Sequence, residues 1–404
     1  MIKHFTLSLF LLLMATYVVS CGNSSANETS DLAEIFTPTY AKGYRILSAD
    51  NHTSSLIRVV LSGDGENDEI RELFIRRDDE PVPDGYKGQI LQGEARRIVC
   101  MSAPQTAMLH LVDATDRIVG ISQPDRISAP DIRSRRAEIG DIGHEGEINY
   151  DLLSALKPDL VLLDAKNGVS PMEKRLEQMG VPYLYIDDWN ENSPLGKAEW
   201  MMAVAESVGR RNEAEEVFRE IPEKYNALKQ RVIGAAGKRP KVMLDMPSGG
   251  FWTLPPKDSY FATLLDDAGA EYLLPSGNSG AAGPVGMDEA FAMASQADKW
   301  LNLGPDINTP ADLRAALPRF ANLPVIGWAE LYNNTERMNA GGGNDFYESG
   351  TVNPDLVLRD LIKIMHPSLV PEPFTYYRRL LFQSPQEEDE DSEYSDLADI
   401  PDLP

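Results

Sequence analysis

Two stretches of the sequence alternate short, continuously apolar runs with segments that have the period of an amphipathic helix. In the first stretch, which begins near Arg97, the apolar runs are Ile98–Met101, Ile118–Ile121, Leu160–Leu163 and Tyr183–Ile186. Continuously apolar strands between amphipathic helices are typical of a parallel sheet that helices cover on both faces. We therefore predict a Rossmann-like N-terminal α/β lobe over residues 96–192.

The second stretch, residues 238–383, repeats this alternation and predicts a C-terminal α/β lobe. Its predicted strands are Val242–Leu244, Phe251–Leu254 and Trp300–Leu303, and its predicted helices are Tyr260–Ala268, Met287–Ala294 and Pro354–Met365. Between the lobes, residues 193–237 are rich in helix formers, with a predicted break at Gly209 and a disturbance at Pro222. The predicted fold class is α/β, with two Rossmann-like lobes bridged by a long α-helix.

A different pattern precedes the two lobes. Residues 40–95 contain short runs of β type, such as Leu56–Leu61 and Glu72–Ile75, which are separated by Gly, Asp and Asn turns. We therefore predict a small β-rich N-terminal extension over this range.

Residues 1–20 have the features of an export signal, with an apolar run from Phe5 to Val19 that is too short to cross a bilayer comfortably. The run ends before Cys21 in a sequence that resembles the lipobox of bacterial lipoproteins. We predict that Cys21 carries a lipid and that residues 21–39 form a tether. A plain secretory signal that contains a cysteine is the alternative. Because the only other cysteine is Cys100, we expect no internal disulfide.

The charge of the chain argues against one class of partner. The formal net charge is −25, so the phosphates of a nucleic acid would be repelled. Part of this charge lies in residues 384–404, where Glu387–Asp391 is an uninterrupted acidic run. This tail is too acidic and too poor in apolar residues to pack, so we predict a disordered solubility tail, with a docking tail as the alternative.

An aspartate near a helix start is repeated in the two lobes. Asp151 begins a predicted helix that leads into a strand preceded by Asp159, and Asp288 begins one that leads into a strand preceded by Asp298. A single aspartate of this kind is usually a helix cap or complements the helix dipole. Its repetition in both lobes favours a functional role for Asp151 and Asp288.

Four motifs of the first lobe form a specific set. They are Arg97–Val99, Ser102–Thr106, Asp116–Gly120 and Ala155–Leu162. Together they resemble the substrate-binding proteins of iron-siderophore, haem and cobalamin ABC importers, over residues 97–381. Ser193–Trp200, Asn344–Gly350 and the β-rich extension resemble the branch of this family found in Bacteroidetes-type bacteria. The resemblance implies two lobes joined by one long helix, which permits only a modest closure on ligand.

The same resemblance implies a location and partners. The chain would be a monomer, anchored by its lipid on the periplasmic face of a bacterial membrane, that delivers its ligand to an ABC permease dimer with its ATPase. The family places one acidic residue on each lobe to meet arginines of the permease. The matching positions are Asp151 and Asp288, with Glu289 as the alternative to Asp288. A surface lipoprotein that captures ligand without a permease is the rival interpretation.

Ligands of open α/β lobes bind outside the carboxyl ends of the strands, so the loops at those ends are the candidate site. The residues that we predict to contact ligand from these loops are Pro104, Gln105, His144, Asn167, Trp189, Trp252, Trp328 and Tyr332. The aromatic side chains among them suit a large planar or macrocyclic ligand, with ordinary packing as the alternative. For His144, a structural hydrogen-bonding role is the alternative.

The histidines argue against a site for a bare metal ion. Those after the predicted signal are His52, His110, His144 and His366, and no two of them have a chelating spacing. We therefore expect no metal site and no permanent cofactor, but a ligand that is itself a metal chelate: a corrinoid, a ferric siderophore or haem. The sequence contains no Gly-x-Ser-x-Gly, His-Glu-x-x-His or phosphate-binding motif, so we assign no catalytic residue and disfavour an enzyme.

Overall fold

The computed structural model describes residues 32–61, 69–166, 168–235, 237–247, 250–275 and 283–382. The predicted signal, Cys21 and the predicted acidic tail lie outside these ranges and stay predictions. In the described part of the chain, no helix is both long and apolar enough to span a membrane. The predicted fold class is confirmed, since a β-rich sheet precedes two α/β lobes that helices connect.

The N-terminal extension is a five-stranded sheet. Its strands are β1 (Ala33–Phe36), β2 (Tyr44–Ser48), β3 (Ser55–Leu61), β4 (Glu69–Arg76) and β5 (Gln89–Gln92). They pair in chain order, antiparallel up to β4 and parallel between β4 and β5. β1 lies inside the segment that we predicted as a tether. The sheet therefore begins earlier than predicted, because Ala33–Phe36 pairs with β2.

The N-terminal lobe has a five-stranded parallel sheet with the order β12-β11-β6-β7-β8. The strands of this lobe are β6 (Ile98–Cys100), β7 (Ile118–Ile121), β8 (Gly140–Asp141), β9 (Gly143–His144), β10 (Glu147–Ile148), β11 (Leu160–Asp164) and β12 (Tyr183–Ile186). Its helices are α1 (Ala103–Leu111), α2 (Pro130–Ser134), α3 (Tyr150–Leu156) and α4 (Glu173–Met179). β9 and β10 form a separate hairpin. The central strands are buried along their length, as their continuous apolar runs predicted.

Three helices connect the lobes where one bridging helix was predicted. They are α5 (Pro194–Glu199), α6 (Met201–Ser207) and α7 (Arg211–Gly234). The predicted break is present at Gly209, whose φ of +68° is the left-handed conformation that favours glycine after a helix. α7 continues through Pro222, so the long element of the link is α7 alone.

The C-terminal lobe has a five-stranded sheet with the order β15-β13-β17-β18-β19, of which only β19 is antiparallel. The strands of this lobe are β13 (Lys241–Leu244), β14 (Phe251–Thr253), β15 (Glu271–Tyr272), β16 (Pro284–Gly286), β17 (Lys299–Leu301), β18 (Leu331–Asn333) and β19 (Arg378–Arg379). Its helices are α8 (Tyr260–Asp267), α9 (Met287–Ala294), α10 (Pro310–Ala316), α11 (Pro324–Gly327), α12 (Ser349–Val352) and α13 (Pro354–Met365). The predicted strand at Phe251 pairs antiparallel with β16 in a separate two-stranded sheet instead of joining the main sheet.

Two buried glutamates fasten the extension to the linking helices. The carboxylate of Glu199, a residue that is 2% exposed, accepts three backbone N–H groups of the segment between β1 and β2. These are the N–H groups of Thr39, Tyr40 and Ala41, at 2.8, 2.7 and 2.8 Å. Glu206 on α6 pairs with Arg77, just after β4, at 2.9 Å. Because a buried carboxylate needs donors in place of its lost hydration, these contacts make the extension part of the same folded unit as the link.

We expect Glu199→Gln to lower the free energy of unfolding by about 1–3 kcal/mol. The glutamine side chain has an NH₂ group in place of one carboxylate oxygen, and this group cannot accept the backbone hydrogen bonds that the oxygen accepted. Urea unfolding of the purified protein measures this. The control is Glu220→Gln on α7, where an exposed pair with Lys224 is lost and a change of about 0.5 kcal/mol or less is expected. Equal effects of the two substitutions would contradict the assigned role of Glu199.

Candidate functional site

A cavity of about 380 Å³ lies between the two lobes at the carboxyl ends of their strands. From the N-terminal lobe it is lined by Met101, Ser102, Ala103, Ser122, Gln123, Arg126 and Ile127. From the C-terminal lobe it is lined by Asn302, Gly304, Pro305, Asn334, Thr335, Met338, Gly342, Gly343, Asn344 and Tyr347. The wall is mostly neutral, since Arg126 is the only ionised side chain among the described residues that line it. This is the place where open α/β folds bind ligands.

Each lobe presents to the cavity a polar residue with an unusual backbone conformation. Gln123, two residues after β7, has a φ of +55°, and Asn302, directly after β17, has a φ of +62°. Residues other than glycine adopt this left-handed conformation at a cost, and such residues cluster at functional sites. The two positions are equivalent, because each follows an inner strand of the sheet of its lobe. The chain therefore turns sharply at the cavity wall in both lobes.

A segment of the C-terminal lobe, residues 339–348, crosses to the N-terminal lobe, and we call it the interlobe clasp. The side-chain amide of Asn339 donates to the carbonyl oxygens of Arg126 at 2.9 Å and of Ile127 at 3.1 Å. At Gly343 a Cβ atom would lie 1.6 Å from the Arg126 carbonyl oxygen, so only glycine permits this approach. The clasp closes one side of the cavity.

Glu348 at the end of the clasp is 1% exposed and belongs to the C-terminal lobe. Its carboxylate accepts the backbone N–H groups of Ser128 at 2.6 Å and Ala129 at 2.9 Å, both of which belong to the N-terminal lobe. Burial raises the pKa of Glu348, and these N–H donors oppose that rise. The lobes are thus joined at a second place, besides the linking helices.

A second polar region lies at the carboxyl ends of β11 and β12. Trp189 is 52% exposed there, and the ammonium groups of Lys166 and Lys197 lie 4.1 and 5.3 Å from its ring centroid. Burial raises the pKa of Asp187 to about 7, and the carboxylates of neighbouring acidic residues add to the rise. A small pocket of about 50 Å³ beside this region shares Met101 with the main cavity.

The residues predicted from the first lobe lie in or beside the correct loops, but none of those described lines the cavity. Gln105 is buried, and its side-chain oxygen accepts the N–H groups of Met101 at 2.8 Å and Ser102 at 3.1 Å, so it shapes the loop that forms the wall. Pro104 lies in the first turn of α1, next to that loop. His144 is exposed in the β9–β10 hairpin, with Nδ1 at 2.9 Å from the carbonyl oxygen of Glu145. Asn167 lies outside the described residues.

Three aromatic residues predicted from the second lobe need correction. Trp252 is fully buried, because its ring stacks on Trp300 at 5.2 Å and its indole N–H donates to the Leu244 carbonyl at 2.9 Å. Tyr332 is 6% exposed and its hydroxyl lies 3.2 Å from the Glu330 carboxylate, away from the cavity. Trp328 is 66% exposed but precedes β18, so it lies at the amino end of that strand, on the opposite edge of the sheet.

Most residues that line the cavity are not among those predicted from the sequence. Ser122 and Gln123 follow the apolar run of β7 directly, so a search for polar residues after every predicted strand would have found them. Asn334 follows β18, a strand that was not predicted. Met338 lies in irregular chain just before the clasp, and Tyr347 ends a single turn of 3-10 helix within it, Asp345–Tyr347, so neither follows a predicted strand. In the described part of the chain, no group of three or more His, Cys, Asp or Glu side chains could hold a metal ion.

The repeated aspartates have equivalent places in the two lobes. Asp151 is the second residue of α3 and Asp288 is the second residue of α9. Each helix leads into a parallel strand and runs against it, so both helix starts lie near the carboxyl edge of their sheets, as the cavity does. Asp151 and Glu289 are exposed, and Asp288 is also exposed but lies 2.5 Å from the Arg319 guanidinium.

We expect Asp187→Asn to stabilise the protein increasingly as the pH rises from 4 to 7. The pKa of Asp187 is raised from its ordinary value of 3.8 to about 7 in the folded state. Below pH 4 the carboxyl is protonated in both the folded and the unfolded protein, but as the pH rises to 7 the unfolded protein loses this proton more readily, so the folded wild type becomes less stable. An asparagine does not titrate, and its oxygen can still accept the bond of 2.7 Å from Asn190. Unfolding by urea at pH 4.5 and pH 8 measures the difference.

The matched control is Asp84→Asn, which removes an exposed carboxylate in a turn of the extension. Its effect on the unfolding free energy should be small and similar at both pH values. A pH-independent effect of Asp187→Asn would show that the carboxyl of Asp187 is not perturbed by its surroundings.

Comparison with known proteins identifies relatives of this chain. A family model described as periplasmic binding protein matches residues 98–314, from the start of β6 into α10. An uncharacterized lipoprotein of Methanocaldococcus jannaschii is 20% identical over 314 residues, which cover 74% of this chain and 73% of the relative.

Solved structures share the fold. A possible iron-binding (periplasmic solute-binding) protein from Staphylococcus epidermidis has a TM-score of 0.54 at 17% identity, covering 68% of this chain and 99% of that protein. A periplasmic haem-binding protein from a Roseiflexus species has a TM-score of 0.51 at 15% identity, with coverage of 68% and 99%. At these identities the likeness is one of fold.

Proposed function

The chain belongs to the periplasmic binding protein family, and we propose that it captures a metal-chelate nutrient in the cavity between its lobes and delivers it to an ABC importer. We further propose that it acts as a monomer on the periplasmic face of a bacterial membrane, held there by a lipid on Cys21. The family match agrees with the resemblance found in the sequence, and it supports a binding protein over an enzyme.

The observation that carries this proposal is the composition of the cavity wall. Among the described residues, the wall contains methionine, asparagine, serine and tyrosine side chains, but no carboxylate and no histidine that could hold a bare cation. Neutral amides and hydroxyls can hydrogen-bond the periphery of an organic chelate, and thioether and aromatic groups can pack against its body. The ligand would therefore bring its own metal, as a corrinoid, a ferric siderophore or haem.

We expect the purified mature protein to bind at least one of cyanocobalamin, haem and ferric siderophore complexes in calorimetric titrations. Tyr347 is 49% exposed at the cavity wall, with its hydroxyl 3.4 Å from the Asn334 amide nitrogen. Tyr347→Ala should weaken binding about tenfold, through lost packing and a lost polar contact.

The matched control is Trp328→Ala, which removes an exposed aromatic side chain on the opposite edge of the sheet and should leave the affinity unchanged. If Trp328→Ala weakened binding and Tyr347→Ala did not, the ligand would lie outside the interlobe cavity. If no chelate bound the wild-type protein, the proposed ligand class would be wrong.

Docking on the permease is the second part of the proposal. Asp151 and Asp288 or Glu289 lie on the same edge as the cavity, one set on each lobe, which suits contacts with two permease subunits. In proteoliposomes that contain the cognate transporter, Asp151→Lys and Glu289→Lys should each lower ligand uptake about tenfold or more, because like charges would then face each other.

The control for docking is Glu216→Lys, which makes the same charge change at an exposed position of α7. It should transport at the wild-type rate. Normal uptake by Asp151→Lys and Glu289→Lys would favour the rival function, a surface lipoprotein that captures ligand without a permease.

A further inference from the structure

We propose that the ligand is an anionic chelate and that Arg126 recognises a negatively charged oxygen at its periphery. This inference rests on the proposed function and names the substrate class of the same cavity. It begins from the charge of the wall: of the described residues that line the cavity, Arg126 alone is ionised.

The partners of Arg126 differ from those of nearby arginines. Arg136 pairs with Asp125 at 2.6 Å, and Arg135 lies 3.2 Å from Glu138. In contrast, no carboxylate of the described residues lies within ion-pair distance of Arg126. Within the described ranges, its guanidinium makes two long hydrogen bonds, of 3.4 Å each, to the side-chain oxygen of Gln123 and the carbonyl oxygen of Gly342. Most of its N–H donors are therefore available to a ligand.

The backbone of Arg126 is fixed by the interlobe clasp. Its carbonyl oxygen accepts the Asn339 amide at 2.9 Å, and Gly343 packs directly against that carbonyl. The preceding carboxylate, Asp125, is held by Arg136 and so is not available to neutralise Arg126. A cation on a fixed backbone binds an anion with a smaller loss of conformational entropy than one on a mobile loop.

The remaining wall supports a ligand with charge at its edge and a less polar body. Met101 and Met338 offer thioether surface from opposite lobes, and Tyr347 offers an aromatic face. Asn344 and Ser102 offer neutral hydrogen-bonding groups. A guanidinium binds carboxylate and deprotonated oxygen groups with charge-assisted hydrogen bonds, so a chelate with peripheral anionic oxygens fits better than an uncharged one.

Four chelates test this inference by calorimetric titration at constant ionic strength: an anionic ferric tris-catecholate, haem with its two carboxylates, an uncharged ferric trihydroxamate, and cyanocobalamin. The wild-type protein should bind the tris-catecholate or haem more tightly than it binds either the trihydroxamate or cyanocobalamin. Arg126→Gln should weaken that binding about 10- to 100-fold, and Arg126→Lys should restore part of it, because a point charge is retained without the guanidinium fork.

The matched control is Arg133→Gln, which removes an exposed arginine of α2 outside the cavity wall and changes the net charge equally. It should change the affinity less than about threefold, since exposed charges outside the site act weakly through solvent. Equal unfolding midpoints of the variants would show that Arg126→Gln leaves the fold intact.

Two results would overturn the inference while leaving the proposed function in place: tighter binding of an uncharged chelate by the wild type, or equal losses of affinity for Arg126→Gln and Arg133→Gln. Binding of none of the four chelates would contradict the proposed function itself, and the inference with it.

Discussion

The carboxylate of Glu348 belongs to the C-terminal lobe, but its two backbone donors, at Ser128 and Ala129, belong to the N-terminal lobe. A buried carboxylate that loses its donors is strongly unfavourable, so this contact sets how far apart the lobes can lie. The linking helices join the lobes on one side and the interlobe clasp joins them on the other. The cavity is therefore a preformed space with walls from both lobes, and Arg126, two residues before Ser128, has its place in the wall because of this joint.

The strands and helices with strong periodicity could be predicted from the sequence, and so could the repeat that relates the lobes. Asp159 accepts the N–H groups of Arg96 and Arg97 before β6, and Asp298 accepts the N–H of Lys241 at the start of β13, which explains why an aspartate precedes a strand in both lobes. β18 was missed, because only Leu331 and Tyr332 of its three residues are apolar, so its apolar run is shorter than those of the strands that were predicted. β1 was missed because it is largely exposed and is defined by its pairing with β2.

The candidate site was less predictable, because its parts meet only in the folded chain. The rule that ligands bind at the carboxyl ends of strands located the loops, but the choice of aromatic residues within them favoured Trp252, whose indole is satisfied in the core. The residues of the clasp follow no helical or strand period, and their place opposite Arg126 depends on the packing of the two lobes. That no carboxylate of the described residues pairs with Arg126, although Asp125 precedes it, is likewise a property of three-dimensional neighbours that sequence spacing does not reveal.

The most direct test of the account is a crystal structure of the mature protein with the metal chelate that binds it most tightly, with anomalous scattering recorded at the absorption edge of the metal. We expect the anomalous density in the interlobe cavity, between Met101 and Met338, with ligand density in contact with Arg126 and Tyr347. Anomalous density outside this cavity, such as beside Trp328 on the opposite edge of the sheet, would contradict the claim that the two lobes bind the ligand between them.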